Sequence, residues 1–411
     1  MVDRLYAKHQ SCLDCETEYP IDSTIFRCNK CGGCLEVKYD YDEMEKKIAK
    51  EDLKNSPERS LWRYAKFLPV ESKHIVSLGE GMTPLIIAKN LSVQTGSNNI
   101  LLKLDFCNPT GSFKDRGTSV LISNAKKLHV KEVAIDSSGN NASSISAYSA
   151  RAGIKCYVFS PSYASRGKLV QSMAYGSRLF GVEGTRHETY QTAYSAVEFF
   201  GWYYCGSTNA FPIEGSKTLA YEICESLGWK PPSWIVIPTG GGTNLIGCYK
   251  GLKELMMMGW IEKIPSLVCA QSDGCAPIVK SLEKGRDYVE PVEKASGIAE
   301  GLMIRHPQRG DTVLKILKET NGLAISVSDD EIVEAIKQLS KLEGIYIEPS
   351  SAVALAALNE LRNIEKIDRN ERVVCELTGS GLKTSKFYNN MYSTLTKIKP
   401  GIEDLKTRLK M

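Results

Sequence analysis

Asn108-Pro109-Thr110-Gly111-Ser112-Phe113-Lys114-Asp115-Arg116-Gly117 sets a lysine just after a Pro and Gly turn, flanked by small polar residues. Pro109 restricts one backbone dihedral and Gly111 opens conformations closed to other residues, so the amine is placed rather than left to dangle in solvent. Outward from this run, short apolar stretches alternate with longer amphipathic ones. Strands are expected over 100–104, 132–135, 155–159, 234–238, 266–271 and 372–377. Helices are expected over 117–128, 142–152, 167–175, 188–200, 216–227, 243–257, 328–343 and 350–359. Strand followed by helix, repeated, predicts an α/β fold with parallel sheet and helices on both faces. Such folds bind ligands at the carboxyl ends of their strands.

Three polar or Gly-rich turns sit at those ends. Asp136-Ser137-Ser138-Gly139-Asn140-Asn141 follows one strand and opens a helix, where amides and side chains can hold a carboxylate or a cofactor oxygen. Pro238-Thr239-Gly240-Gly241-Gly242-Thr243-Asn244 has the glycines that let backbone amides wrap an anion, with a helix dipole behind them. It is neither a Walker sequence nor the dinucleotide fingerprint. Thr378-Gly379-Ser380-Gly381 offers a hydroxyl suited to a neutral pyridine nitrogen. One such turn is usually only a loop. Three of them with a placed lysine point to pyridoxal phosphate held at Lys114 as a Schiff base.

Of thirteen cysteines, five lie between Cys12 and Cys34. Cys12-Leu-Asp-Cys15 and Cys28-Asn-Lys-Cys31 are two Cys-x-x-Cys pairs, which converge four thiolates on one tetrahedral ion. Gly32 and Gly33 ease the second turn, and the segment has few large apolar residues, so a metal stands in for a core. Residues 1–39 are therefore expected to form a ribbon around structural Zn2+, bound by Cys12, Cys15, Cys28 and Cys31. Cys34 stands as an alternate ligand, and a degenerate ribbon without metal is the plainer alternative. Four sulfur ligands leave no open position for zinc catalysis. Residues 40–74 read as a charged, helical connector, with helix over 43–50 and 60–67.

The other eight cysteines are scattered, which speaks for reduced thiols and against a disulfide framework. The net charge of +4 is too slight to argue for nucleic acid, and no apolar run is long enough to span a bilayer. The first residues lack a secretory pattern, so a cytoplasmic location is expected. None of the five histidines forms a metal-spaced pair. Cys107 reads as a buried small hydrophobe, with a nucleophile as the sharper alternative. The segment 397–411 reads as a surface helix or tail.

Together, Ser77-Leu-Gly-Glu80-Gly-Met-Thr-Pro-Leu85, the Lys114 run, Ser138-Gly-Asn140, Gly167-Lys168-Leu-Val-Gln171, Gly240 to Asn244, Glu348-Pro-Ser-Ser-Ala352 and Thr378-Gly-Ser-Gly381 resemble the threonine synthase branch of the fold-type II pyridoxal phosphate enzymes. These are relatives of the tryptophan synthase β subunit, and some threonine synthase-like proteins carry a similar ribbon. The resemblance implies two three-layer αβα domains with mostly parallel sheets: 75–114 with 216–411 as the large cofactor-binding domain, and 115–215 as the small substrate domain. It implies that Lys114 carries the cofactor and shuttles protons, with Phe113 near the ring and Asn140 at its 3-hydroxyl. Gly240, Gly241, Gly242 and Thr243, with Asn244 beside them, would hold the phosphate, and Thr378 would meet the pyridine nitrogen. Ser137, Ser138, Gly139 and Asn141 would grip the substrate carboxylate, and Ser207 would lie near its phosphate. The implied reaction converts O-phosphohomoserine to threonine and phosphate, in a homodimer.

The substrate half departs from the family. Its usual Asn-Pro-Tyr-Arg-like run here reads Asn209-Ala-Phe-Pro212, so proline stands where an anion-gripping arginine is expected. Asn141 stands where threonine is usual. Lys168, Arg166, Arg305 and Arg309 are the cations left to grip a phosphate. The alternatives are a cysteate synthase-like β-replacement or a lyase or thiolase-type reaction on another small amino acid. A ligand sensor on the same fold is the non-enzymatic reading, and a zinc-dependent nucleic-acid binder a third, disfavoured by the weak charge.

Overall fold

In a computed structural model, the structure describes residues 5–409 except 98, 165, 393 and 394, with the side chains of 166 and 167 also outside the description. Three sheets organise the chain. An antiparallel ribbon, ordered β2-β1-β3, is built from β1 (Ala7–Cys12), β2 (Glu18–Pro20) and β3 (Leu35–Tyr39). A six-stranded sheet has the order β12-β11-β10-β13-β5-β4. Its strands are β4 (Leu85–Ile87), β5 (Ile100–Lys103), β10 (Trp234–Pro238), β11 (Ser266–Ser272), β12 (Leu323–Val327) and β13 (Val373–Glu376). All its pairings are parallel except β4 with β5 at one edge. A fully parallel four-stranded sheet has the order β8-β7-β6-β9. It comprises β6 (Glu132–Asp136), β7 (Lys155–Pro161), β8 (Arg178–Val182) and β9 (Tyr203–Tyr204).

Both parallel sheets are covered on two faces, which is why their strands are almost continuously apolar. Along β10, Ile235 and Ile237 point to one core with Leu219, Leu245 and Leu252, while Val236 points to the other with Leu339, Val353 and Leu355. The smaller sheet divides likewise: Val133 and Ile135 pack with Val120, Ile145 and Tyr148, and Ala134 and Phe159 pack with Ala193 and Val197. The expected α/β, three-layer architecture is therefore the observed one.

The deviations from the sequence reading are local. The expected helix 216–227 is Thr218–Ser226, and a separate short helix not expected from the sequence, Phe211–Ser216, precedes it. Gly215 in that short helix lies against the backbone of the helix Lys114–Lys127; a Cβ there would come 2.0 Å from Arg116 O. In the connector, a helix spans Tyr41–Lys47, and Leu61–Phe67 is 3-10 with a kink at Tyr64. Trp62 Nε1 donates to Glu80 Oε1 and Ser119 Oγ, both at 3.0 Å, and these anchors override a regular helix. Strands β8 and β12, not expected from the sequence, lie at sheet edges where the hydrophobic signal is thin. Cys107 is exposed in the 3-10 turn Asp105–Cys107, contrary to the buried hydrophobe expected. In the C-terminal segment, a helix covers Glu403–Leu409. No described helix is long and apolar enough to cross a membrane.

Candidate active site

Four chain segments leaving the carboxyl ends of β5, β6, β10 and β13 converge on one cavity of about 330 Å³. After β5 the chain turns through Gly111, at φ +81°, and is pinned to the turn after β13. Phe113 N donates to Thr378 O at 2.9 Å and Ser380 N to Gly111 O at 2.9 Å. Lys114 then opens the helix Lys114–Lys127, its Nζ 4.4 Å from the Phe113 ring centre. Burial pulls the Lys114 amine down to about 8, against the opposing charges of Glu376 and Glu348. The adjacent Asp115 locks the turn by accepting from Thr110 N at 2.7 Å, Thr110 Oγ1 at 2.6 Å and Ser144 Oγ at 2.6 Å.

After β6, Ser137–Gly139 lead into the helix Asn140–Ala152. Ser137 Oγ accepts from Gly139 N at 3.3 Å, and a Cβ on Gly139 would meet nothing, so this turn leaves open space above it. Asn140 Nδ2 donates to Glu348 Oε1 at 2.7 Å, while its Oδ1 is buried without a partner. After β10, Gly242 at φ +89° turns the chain into the helix Thr243–Met257, and Gly241 again faces open space. Asn244 Nδ2 donates to Glu376 Oε1 and Oε2 at 2.7 and 2.6 Å, leaving Oδ1 unpartnered. Burial, reinforced by the Asp105 charge, raises Glu376 to about 8. After β13, Thr378 Oγ1 lies 3.0 Å from Ser351 Oγ.

The cavity thus gathers Lys114, Phe113, Asn140, Gly240–Asn244 and Thr378, with Ser137, Ser138, Gly139, Asn141 and Ser207 on its wall. Lys168 also reaches it, from the helix Arg166–Ala174, but its Nζ is paired with Glu348 Oε2 at 2.9 Å. Arg309 lines it; Arg305 does not, and Nη1 of that residue donates to Glu293 O at 2.8 Å. The Arg166 side chain lies outside the described residues. Sequence reasoning missed Arg186 and the 300–304 wall, and it assigned no role to Glu348 although it singled out the Glu348-Pro-Ser-Ser segment; His306 and Gln308, between the candidate cations Arg305 and Arg309, line the cavity as well. Pro212 faces away, against Gly117: a Cβ on that glycine would come 2.7 Å from Pro212 O.

These residues suit pyridoxal phosphate. A buried amine with a depressed pKa, a glycine turn with open amides at a helix N-terminus, and an orphaned Asn140 Oδ1 offer the contacts that an aldehyde, a phosphate and a ring hydroxyl require.

In the ribbon, the Sγ atoms of Cys12, Cys15, Cys28 and Cys31 all lie within 4.8 Å of one another. Three of the separations are 3.5, 3.6 and 3.4 Å. A tetrahedral zinc–thiolate cage needs sulfurs roughly 3.8 Å apart, so the donor set fits a zinc ion. Cys34 stands apart, its Sγ 3.7 Å from Gln308 O.

The fold and the site define a class, and comparison with known proteins agrees. The description "Pyridoxal-phosphate dependent enzyme" matches residues 76–379, and the chain belongs to that family. Within it, the chain is 40% identical to the threonine synthase of Methanocaldococcus jannaschii over 91% of its own length and 92% of that protein. It is 36% identical to the threonine synthase of Methanosarcina acetivorans over the same shares. Among solved structures, maize serine racemase aligns with a TM-score of 0.66 at 21% identity, covering 76% of this chain and 92% of that one. The processed threonine deaminase isoform 2 of Solanum lycopersicum aligns with a TM-score of 0.66 at 24% identity, covering 75% and 82%. These two establish the fold alone. The protein is a threonine synthase-like, pyridoxal phosphate-dependent lyase acting on amino acids by elimination and replacement.

Proposed function

We propose that this enzyme converts O-phosphohomoserine and water to threonine and phosphate. The observation that carries the reading is its near full-length similarity to two threonine synthases. Lys114 is the residue to hold the cofactor, with Phe113 beside it. Amides of Gly240, Gly241, Gly242 and Thr243 take its phosphate, Asn140 its 3-hydroxyl and Thr378 its pyridine nitrogen. Asn244 supports the phosphate turn from behind, through its bonds to Glu376. When bound, pyridoxal phosphate supplies an electron sink for the charge that develops on the substrate's α carbon.

The chain's own residues do the rest. Ser137, Ser138, Gly139 and Asn141 bind the α-carboxylate at the N-terminus of the helix Asn140–Ala152, where amide donors and the dipole favour an anion. Lys114 Nζ takes the α-proton; its pKa of about 8 leaves an appreciable neutral fraction near neutrality, as a general base requires. The same amine, once protonated, returns a proton along the substrate chain.

The same reading includes structural zinc at Cys12, Cys15, Cys28 and Cys31, a large domain of 75–114 with 216–411 around a small one of 115–215, a homodimer and a cytoplasmic location. The test is to incubate the holoenzyme with O-phosphohomoserine and follow phosphate release and threonine formation; silence in both would sink the assignment. The alternative of β-replacement on an amino acid such as O-phosphoserine is separated by the same assay with that substrate.

A further inference from the structure

The wall of the cavity described above includes a buried cation with no directly paired carboxylate among the described residues. Arg309 is 2% exposed and lines the cavity. Its Nη2 donates to the carbonyls of Thr208 and Leu35, both at 3.0 Å. Its Nε and Nη1 are buried without any partner. Among the described residues no carboxylate forms an ion pair with it. Burying an uncompensated charge is costly, and such groups are ordinarily paired. Neutral carbonyls satisfy one nitrogen and leave the formal charge open.

The place of this cation is specific. The Arg309 backbone lies against the glycine turn, its carbonyl oxygen 3.7 Å from where a Gly242 Cβ would stand, and the guanidinium is held by the carbonyls of Leu35, Thr208 and, at 3.5 Å, Asn209. Its bond to Thr208 O sets it beside Ser207, another wall residue. Thr208 Oγ1 is also buried and unpartnered. The competing cations are committed or remote. Lys168 is paired with Glu348, Arg305 lies off the cavity, and Arg186 is half exposed and donates to Asp136 O at 3.1 Å.

Resting on the function proposed above, we propose that Arg309 binds the distal phosphate of the substrate, with Ser207 at its side, while the Ser137–Asn141 turn holds the α-carboxylate. The enzyme then selects amino acids bearing a phosphate monoester by a charge that lies about one hundred residues further along the chain than Pro212.

The test compares the wild-type holoenzyme with Arg309→Gln and Arg309→Lys. Exchange of the α-proton in heavy water is followed for O-phosphohomoserine and for L-homoserine, and binding of inorganic phosphate is measured by calorimetry. Hydrogen bonds to charged groups have a size that predicts a roughly 10- to 100-fold rise in the half-saturating O-phosphohomoserine concentration for Arg309→Gln. L-Homoserine should be unchanged, inorganic phosphate binding should vanish, and Arg309→Lys should keep part of the preference. Equal losses for both amino acids, or none, would overturn the proposal. Visible absorbance and bound zinc report whether Arg309→Gln folds; if either is lost, Arg309→Lys decides, since an unaltered preference there also overturns it. The two readings fail separately. A wild type that exchanges L-homoserine and ignores O-phosphohomoserine refutes the substrate, yet phosphate binding abolished by Arg309→Gln would still place the anion at Arg309.

Discussion

Arg116 and Arg309 are both buried guanidinium groups, 0% and 2% exposed, in opposite surroundings. Arg116 reaches Asp105 through Nε at 2.7 Å and Nη2 at 2.8 Å, and Glu222 through Nη1 at 2.5 Å and Nη2 at 2.8 Å. Lys103 adds a second cation 2.7 Å from Glu222, whose carboxylate in turn accepts from Met82 N and Thr83 N at 2.8 and 3.2 Å. Burial alone would raise the pKa of Glu222, but Arg116 and Lys103 outweigh it and hold the carboxyl at about 2. Arg309 has carbonyls and, among the described residues, no paired carboxylate. A buried charge whose counter-charges belong to the fold is part of the structure. A buried charge left open at a cavity wall is available to a ligand. The Arg116 cluster fastens the segment around Glu80–Thr83 and the helix Thr218–Ser226 to the root of the Lys114 turn, whereas Arg309 stands in the cavity wall.

If the cavity performs the chemistry, the largest effect should come from Lys114→Ala. Loss of the amine should lower turnover at least ~10³-fold, as removal of a nucleophile or general base does. The visible absorbance of the lysine-bound cofactor should go with it, while denaturant unfolding of the apo-protein shifts little. Turnover within tenfold of wild type would break the assignment.

On the other side of the comparison, Arg116→Met should destabilise by about 3–5 kcal/mol, because Asp105 and Glu222 are left as buried carboxylates with too little positive charge. Denaturant melts measure this. The ratio of O-phosphohomoserine to L-homoserine affinity should stay put, and a shift in that ratio would blur the distinction drawn between the two arginines.

Chelation tests the zinc proposed for the ribbon and, with it, the link between ribbon and wall. Leu35 O accepts from Arg309, Lys250 Nζ donates to Val37 O at 2.7 Å, and Tyr39 OH donates to Glu214 at 2.7 Å, so the ribbon braces the wall. Chelation should expose Cys12, Cys15, Cys28 and Cys31 to alkylation ahead of the buried thiols of the body, and weaken O-phosphohomoserine binding several-fold. Alkylation rates that ignore the chelator would argue against a bound metal.

The smallest effect is one of pH. Only the neutral amine of Lys114 attacks the cofactor aldehyde, and its pKa is lowered to about 8. The rate at which apo-protein captures pyridoxal phosphate should therefore rise as pH increases through about 8 and level off above it. A rate still climbing toward the ordinary lysine range would show that the cavity does not depress this amine.

Much of the fold and the cofactor-facing wall could be read from residue order. Strand, glycine-containing turn and helix are contiguous, so Gly240–Thr243 and Ser137–Asn141 announce themselves locally. The Cys12 to Cys31 spacing did the same for the ribbon, and the four cysteines of the two Cys-x-x-Cys pairs are the ones that converge, with the alternate Cys34 outside the group. The edge strands β8 and β12 escaped because a half-covered strand has a weak apolar signature. Glu348 and Arg186 escaped because a lone charged residue before a helix usually caps it or faces solvent.

By itself, the sequence determined the α/β class, the lysine and the turns that suit pyridoxal phosphate, because those features depend on backbone conformations specified by neighbouring residues. Only the tertiary structure decided which charges are spent and which are free. Lys168 and Glu348 meet across 180 positions of chain, Arg116 finds Glu222, and Arg309 pairs with no carboxylate among the described residues. Whether a charge is neutralised depends on which distant groups packing brings within a few ångströms, where low dielectric makes each counter-charge count, and no stretch of neighbouring residues carries that information.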